Sequence, residues 1–440
     1  MQSRRSFLVG SAITAAVSRS AIGANDRIGF AVIGVGGRGS YMASVFTDFE
    51  DVNLLAVCDV YKPNRDEQAA RLGTKTKSSP VAENDYRRIL ERKDVDALLV
   101  TTPDHWHGPI VIEASQAGKD CYCEKPLSNT IEMGQKMRAA VRQYKRVVQV
   151  GLQQRSWQHF QENAKRVQDG MIGQVYLVEC AYTGNYTRDP GPPTAPPEGL
   201  DWELFQGNAE RRPYVSLRQR GWRAFYDYSG GTLLDWGTHL TDISQWYMNV
   251  DAPLTCSASG QYTRVPVLPE MLPDTLAVTW KYPKFVMTYK NAVESMPDWD
   301  VQGNHFIGTG GWLHVNRTEY RVRATAMRGP MPPPPAAAPG AAGTPAAGAP
   351  PAGRGAGRGA AGRGAPAPPR FEPITERFRY DGNPSDHAHV RNFLDCVKSR
   401  QEPVVNIDTG FNSTLPTLMA VLAIRYDKTY TWNGKQAVAV

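Results

Sequence analysis

The sequence predicts an α/β protein of two domains: an N-terminal doubly wound parallel sheet, then a C-terminal α+β domain with a large, mostly antiparallel open sheet. Three observations predict it. The chain has 440 residues, more than one ordinary core supports. From residue 26 to about 150, short β-rich runs alternate with amphipathic helical stretches, the pattern of parallel strands joined by right-handed crossovers. Beyond residue 150 the β-rich runs lengthen and follow one another with few helices between them, which favours antiparallel pairing.

In order, the strands of the first domain are RIGFAVIG, VNLLAVCD, DALLVTTP, DCYCEKP and RVVQVG, each short and rich in β-branched or aromatic residues. Between them YMASVFTDF, RDEQAARLG, PIVIEASQAGK and EMGQKMRAAVRQYK carry helical periodicity. The second domain, residues 151–328 and 371–440, opens with the helix SWQHFQENAKRVQDG. The strands QVYLVECAYTG, LAVTWKY, KFVMTYKNA, NHFIGTGGWLHVNR and EYRVRAT follow. Two helices, HAHVRNFLDCVKSR and LPTLMAVLAIRYDK, close the chain. Residues 329–370 are almost entirely Pro, Ala and Gly with three Gly-Arg-Gly steps, too poor in large apolar residues to pack, so they read as a disordered insertion.

A hydrophobic fraction of 41% excludes disorder for the chain as a whole. The net charge of +7 sits entirely in two appendages: Arg4, Arg5 and Arg19 before residue 25, and Arg354, Arg358, Arg363 and Arg370 in the insertion. The folded remainder is balanced, so a nucleic-acid groove is not indicated. Residues 1–24 combine paired arginines, a modest apolar run and small residues, the build of a twin-arginine export signal and hence of a periplasmic protein. The apolar run is shorter than the ~20 residues that span a bilayer, so stable membrane insertion is not expected. The six cysteines show no C-x-x-C or zinc-ligand spacing, which points to free buried thiols and no metal site.

GVGGRG places Gly34, Gly36 and Gly39 in G-x-G-x-x-G spacing, with Gly37 and Arg38 between them. The motif follows a strand, opens a helix, and is followed by Asp59 at the end of the next strand, the full context of a Rossmann dinucleotide fingerprint. Gly34 permits the turn, Gly36 admits the pyrophosphate, and Gly39 allows close helix–strand packing. Asp59 would accept the adenosine ribose hydroxyls, favouring NAD; Arg38 is positioned to hold a 2′-phosphate, so NADP is the less favoured alternative.

Downstream, TTPDHWHGPIVIEASQAGKDCYCEKP resembles the signature of the Gfo/Idh/MocA family, named for glucose-fructose oxidoreductase, inositol dehydrogenase and a rhizopine-catabolism protein. The matching positions are Thr102, Pro103, His107, Gly118, Lys119, Glu124, Lys125 and Pro126, and the family's Asp-x-x-x-His pair is similar to Asp235 and His239 in GTLLDWGTH. The resemblance covers nearly all of residues 26–440 outside the insertion. It implies an NAD(P)-dependent oxidoreductase of sugars or cyclitols, with Thr102, Pro103, His107, Glu124 and Lys125 at the cofactor, and Lys125, Asp235 and His239 as catalytic residues.

The chemistry is coherent on its own terms. Oxidising a secondary alcohol needs a proton acceptor while hydride leaves the same carbon. A histidine, with an ordinary pKa near ~6.5, suits that role. Asp235 can orient the imidazole or grip a hydroxyl, and Lys125 can donate to the reacting oxygen. Whether His239 or Lys125 is the base stays open in the sequence. Taken singly, each has a plain structural reading, Lys125 as a solvated strand-end lysine and the Asp–His pair as a polar helix end.

The stretches DHWH, GLQQRS, GLDWELFQGNAERRPY and GWRAFYDYSGG resemble the exported branch of the family that oxidises or cleaves glycosides. A subgroup there uses bound NAD to oxidise the sugar at C3, eliminate the aglycone and reduce the ring again. Arg155, Tyr182, Trp222, Arg223 and His387 are the candidate substrate-binding residues, and Gly230-Gly231 the candidate space for a sugar ring. Export together with a dinucleotide loop implies a tightly held, recycled cofactor. Three functions follow: a sugar or glycoside dehydrogenase, a redox-neutral glycosidase of the same fold, and a non-catalytic sugar-binding protein. By analogy within the family, the open sheet of the second domain implies a homodimer or homotetramer.

Overall fold

In a computed structural model, the described residues are 27–265, 267–292, 302–324, 371–377 and 384–440. The export signal predicted at 1–24 and the insertion predicted at 329–370 lie outside them.

The first domain runs β1 (Ile28–Ile33), α1 (Gly37–Phe46), β2 (Val52–Cys58), α2 (Lys62–Thr76), β3 (Val81–Glu83), α3 (Tyr86–Leu90), β4 (Ala97–Val100), α4 (Asp104–Gln116), β5 (Asp120–Cys123), α5 (Ile131–Gln143) and β6 (Val148–Val150). Its six strands lie in the order β3-β2-β1-β4-β5-β6, and every pair is parallel. β1, β4 and β5 are buried at every position, as strands covered by helices on both faces must be, and this is why they read as unbroken apolar runs. Between β1 and β4 the sheet order reverses, and the carboxyl ends of these strands frame the crevice where such sheets bind ligands.

The second domain contains α6 (Gln158–Gln168), β7 (Val175–Thr183), α7 (Trp202–Gln206), α8 (Ser216–Arg220), a single π-helical turn at Leu233–Gly237, and α9 (Thr238–Met248). Strands β8 (Thr255–Gln261), β9 (Thr275–Lys281), β10 (Val286–Ala292), β11 (Gly303–Gly308), β12 (Gly311–Val315), β13 (Glu319–Ala324) and β14 (Ile374–Arg377) follow. The chain ends with α10 (Pro384–Ser399), α11 (Ile407–Tyr426), β15 (Tyr430–Trp432) and β16 (Ala437–Ala439). Ten strands form one sheet, β14-β13-β12-β11-β7-β10-β9-β8-β15-β16. All pairs are antiparallel except β7 with β10. Alternate residues of β9 are buried, the mark of a sheet with one face on the core, and α9 and α11 cover that face.

Three local readings change. NHFIGTGGWLHVNR is two strands, because Thr309-Gly310 turns the chain between β11 and β12. The short strands β3 and β14–β16, and the seven-residue β8 (TCSASGQ), carry too few apolar positions to stand out in the sequence. The helix α10, placed by sequence with the second domain, packs on the first. Its Val390, Phe393 and Leu394 join Phe30, Phe46 and Tyr122 in one core, and Arg391 and Lys398 pair with the buried Asp51. The apolar side of α10 is what β1 and α1 lack on that flank, so burial overrides sequence position.

Candidate functional site

Two adjoining cavities open at the carboxyl ends of β1, β4 and β5. The larger, about 470 Å³, runs along the glycine loop and is lined by Gly34, Gly36, Gly37, Arg38, Gly39, Asp59, Thr102 and Pro103. The three fingerprint glycines meet three different demands. Gly34 has φ +86 and a Cβ there would lie 2.7 Å from the Thr102 nitrogen. A Cβ on Gly36 or Gly37 would meet nothing within 4 Å, so the backbone there borders open space. A Cβ on Gly39 would sit 2.0 Å from the Gly34 carbonyl oxygen. Turn, phosphate space and close packing are therefore each present, and the N-terminus of α1 points at the gap.

Asp59 ends β2 with both carboxylate oxygens fixed, Oδ2 accepting from the Val35 N–H at 2.8 Å and Oδ1 from the Tyr61 N–H at 2.9 Å. Each oxygen keeps a lone pair for a ribose hydroxyl. Arg38, the residue that left NADP open, is engaged elsewhere. Its guanidinium donates to Glu124 at 2.8 Å and to Asp386 at 3.2 Å, so two carboxylates already hold the charge a 2′-phosphate would need.

A strap from the second domain closes the same cavity. Between Gly199 and Arg223 the chain crosses back over the first domain and supplies Leu200, Leu204, Phe205, Gln219, Arg220, Trp222 and Arg223 to the lining. Gly199 accepts from the Lys62 N–H, Asp201 donates to the Val60 carbonyl, and Asn84 donates to the Asp201 carboxylate. Trp106 donates its indole N–H to the Phe205 carbonyl at 3.0 Å, and Gly207 (φ +57) lies so close that a Cβ would strike the Trp106 ring at 2.4 Å.

The smaller cavity, about 230 Å³, shares Arg38, Thr101, Thr102, Trp222 and Arg223 with the first and adds Asp104, His107, Glu124, Lys125, Gln153, Asp235, Trp236, His239 and Arg317. Lys125 follows β5, while Asp235 lies in the π turn that leads into α9. A π turn inside a helix re-aims its side chains and recurs at functional sites; here it brings Asp235 and His239 to the same wall.

Lys125 Nζ donates to the Asp235 carboxylate and, at 3.1 Å, to the Asp235 carbonyl. Tyr186 donates its hydroxyl to the other carboxylate oxygen, and Arg223 stands 3.6 Å away. Burial alone would raise the Asp235 pKa, but Lys125 and Arg223 overcome it and hold the carboxyl well below the ordinary range. His239 is 4% exposed. Burial first, then Lys125 and Arg317, push its pKa well below that of a free histidine, so it stands as neutral imidazole. Its Nδ1 has no hydrogen-bond partner among the described residues, and neither have Thr102 Oγ1 and Gln153 Oε1. Buried polar atoms are rarely left so, and all three residues line this cavity.

The remaining sequence candidates divide. Trp222 and Arg223 line both cavities, with the guanidinium 4.2 Å above the indole. Tyr182 stacks on Trp236 at 4.8 Å and backs the cavity wall. His107 bridges the carbonyls of Pro126 (2.8 Å) and Thr102 (3.0 Å), so it fixes the two flanking loops. Arg155 and His387 lie outside the cleft. Arg155 is bound to the buried Asp242 at 2.8 Å and lies over Trp246; His387 faces Asp48 on the outside of α10 at 2.9 Å. Gly230-Gly231 offers no room for a sugar, because a Cβ on Gly230 would strike Leu234 and Val421 at 2.6 Å. The pair serves helix packing.

Asp104, Gln153, Trp236 and Arg317 were missed by the sequence reading. DHWH and GLQQRS had been singled out as stretches, and an acidic residue opening the helix after Thr-Pro was the available signal for Asp104.

Comparison with known proteins decides the family. Residues 28–152 match the model "Oxidoreductase family, NAD-binding Rossmann fold", and residues 160–314 match the GFO/IDH/MocA C-terminal domain. The chain belongs to the Gfo/Idh/MocA family. Its first domain is an NAD-binding Rossmann domain and its second carries the family's C-terminal sheet. A glycosyl hydrolase family 109 protein of Shewanella sp. (strain W3-18-1) is 36% identical over 110 residues, 24% of each chain. The scyllo-inositol 2-dehydrogenase (NAD(+)) of Bacillus subtilis (strain 168) is 27% identical over 222 residues, 50% of this chain and 54% of that one. These matches span between about a quarter and about half of the relatives' lengths. Among solved structures, aldose-aldose oxidoreductase from Caulobacter crescentus aligns with TM-score 0.62 and 20% identity over 92% of this chain and 100% of that one. Levoglucosan dehydrogenase bound to NADH and levoglucosan aligns with TM-score 0.64 and 17% identity over 94% and 99%. At these identities the likeness is one of Gfo/Idh/MocA fold.

Proposed function

We propose that this chain is an NAD-dependent oxidoreductase acting on a secondary ring hydroxyl, at C3, of a sugar or glycoside. The observation that carries the reading is the grouping of a Lys125–Asp235 ion pair, a neutral His239 and three unpartnered polar atoms in a cavity that adjoins the glycine loop. Bound NAD supplies the hydride acceptor; the chain's own residues handle the proton. Lys125 spends two of its three N–H donors on Asp235 and keeps one for the substrate oxygen. That donor stabilises the negative charge that grows on the oxygen as its proton leaves. His239 takes the proton. Of the charges around it, Asp235 favours the imidazolium, while Lys125, Arg317 and Arg38 oppose it, so the accepted proton is held weakly.

The strap favours retention of the cofactor between turnovers. A dinucleotide under Gly199–Arg223 leaves only when several backbone and side-chain hydrogen bonds between the domains open. Retention suits the export signal we read at Arg4-Arg5, since a periplasmic enzyme meets no free NAD pool. Purification of the mature protein without added cofactor, followed by denaturation and mass analysis of the extract, tests this; an extract free of dinucleotide overturns it. N-terminal sequencing of the periplasmic fraction tests export, and the solution mass tests a homodimer or homotetramer. The half-exposed Tyr176 and Val286 on the sheet are what such an assembly would cover.

Redox-neutral glycoside hydrolysis is the second reading, favoured by Asp104. Mass analysis of the products from a panel of glycosides separates the two, a keto-sugar for the dehydrogenase and an unmodified sugar plus aglycone for the hydrolase.

A further inference from the structure

Three carboxyl groups line the small cavity: Glu124 is paired with Arg38, and the other two stand in opposite circumstances, of which the oxidation accounts for one. Asp235 is gripped by Lys125, Arg223 and Tyr186. Asp104, the first residue of α4, is 3% exposed and lines the same cavity. Ser229 donates to its Oδ2 at 2.5 Å; no described residue donates to its Oδ1. The groups facing Asp104 are Arg223 on the strap, Lys125 and Cys123 around the end of β5, Asp235 in the π turn, and Ser229. Burial outweighs the two cations and raises its pKa to about 7. Two titratable groups driven apart by their surroundings in one pocket mark separate acid and base assignments.

We infer that Asp104 is a second proton-transfer residue of this site, delivering its carboxyl proton to the oxygen that departs when a glycoside is cleaved two carbons from the oxidised one. The inference rests on the oxidoreductase reading above. Simple oxidation releases one proton, which His239 accepts and passes to solvent. The new carbonyl acidifies the neighbouring C–H. His239 removes that proton and the C–H electron pair becomes a C=C bond. The C–O bond on the next carbon then breaks, its electron pair staying on the departing oxygen, which takes the proton of Asp104. Water adds across the C=C bond, hydroxyl to the carbon that lost its oxygen and hydrogen to its neighbour. The carbonyl carbon takes back the hydride and its oxygen a proton. The net change is glycoside plus water to sugar plus alcohol, with the cofactor unchanged.

The test compares wild type with Asp104→Asn on matched methyl and 4-nitrophenyl glycosides, following cofactor reduction at 340 nm and release of the alcohol. Asn keeps the size and the Ser229 contact but has no acidic proton. General acid catalysis contributes about 10²–10⁴-fold. The expected result is a loss of methanol release of at least ~100-fold relative to cofactor reduction, with a much smaller loss for 4-nitrophenol, which departs without protonation. Equal losses for both leaving groups, or none, overturn the inference. Wild-type keto-sugar formation with no alcohol released also overturns it, while leaving the oxidoreductase reading intact. If wild type reduces its cofactor with no sugar of the panel, that reading itself fails. Two further measurements stand apart from the Asn variant's activity. Ser229→Ala removes a donor to the ionised form, so the alkaline limb of the release profile moves to higher pH. The thermal midpoint of wild type falls relative to Asp104→Asn as pH rises from about 4 to 7. An unmoved limb together with parallel midpoints overturns the inference.

Discussion

The two cavities of the cleft are built by different means. The cofactor cavity is a backbone structure: its specificity lies in where Cβ atoms are missing, at Gly34, Gly36, Gly37 and Gly39. The smaller cavity is a charge structure, assembled from side chains that follow β5, open α4 and occupy the π turn before α9. A backbone cradle tolerates little change in residue type and shows itself as fixed spacing. A charge cluster tolerates any chain order that brings its members together, because low-dielectric burial decides what each member does. Damage to the first should therefore show as lost cofactor, and damage to the second as lost rate with cofactor retained.

The largest effect belongs to the charge cluster. Lys125→Ala removes the donor proposed for the reacting oxygen and leaves Asp235 with Arg223 and Tyr186 among the described residues. We expect turnover of sugar to fall by roughly 10³-fold with dinucleotide content unchanged. Stability should fall toward the lower end of the ~3–5 kcal/mol typical of a broken buried pair. Adding Asp235→Asn to Lys125→Ala should cost less than the sum of the two. Strict additivity in rate would break the comparison, because it would deny that the pair acts as a unit.

Next come the glycines, which separate phosphate space from packing within one motif. Gly36→Ala projects a methyl into open space, so the variant should purify with little dinucleotide yet unfold like wild type stripped of its cofactor. Gly39→Ala forces a Cβ onto the Gly34 carbonyl and should cost about 1–3 kcal/mol as overpacking. Denaturant midpoints and cofactor content, read together, check both. Full cofactor loading of Gly36→Ala would break the cradle account.

A third effect is spread over the molecule. His105, His107, His159, His239, His314 and His389 all have pKa values lowered by burial. Folded, they stay neutral below the pH at which the unfolded chain protonates them. The native state then binds fewer protons, so the stability they contribute is present above about pH 6.5 and is lost as pH falls from there. The loss continues to about pH 4 for His105, His314 and His389. Each buried histidine adds up to about 1.4 kcal/mol per pH unit, so the urea midpoint should drop clearly between pH 7 and 5. His239→Asn should remove about one proton from that slope. Asp104, with its pKa raised, runs the other way and weakens the fold as pH rises through about 4 to 7.

How much was legible follows from the same contrast. The Rossmann domain and its glycine loop could be read because parallel strands are continuous apolar runs and the loop's conformation demands glycine at set intervals. Lys125, Asp235 and His239 were found through family resemblance, since no spacing rule links residue 125 to residue 235. Asp104 escaped because nothing in DHWH says that its carboxyl will be buried and driven toward neutrality. The placement of α10 escaped because the helix packs on β1 and α1, over 300 residues earlier in the chain. Gly230-Gly231 was misread because a glycine that makes room for a ligand and one that makes room for Leu234 look alike until the neighbours are known.

Arg155 and His387 give the smallest effects and the sharpest control. Arg155 holds the buried Asp242, so Arg155→Ala should lower stability while leaving KM for sugar unchanged. His387 and Asp48 are each nearly half exposed, at 47% and 44%, and a polar contact so well solvated contributes about 0–1 kcal/mol. Its helix is anchored independently by Val390, Phe393 and Leu394 and by the Asp51 pairs. His387→Ala should therefore change neither the unfolding midpoint beyond ~0.5 kcal/mol nor any kinetic constant. A rise in KM of more than a few-fold would mean that the outer face of α10 reaches the substrate, and the division between a site made of buried charge and a surface made of solvated charge would no longer hold.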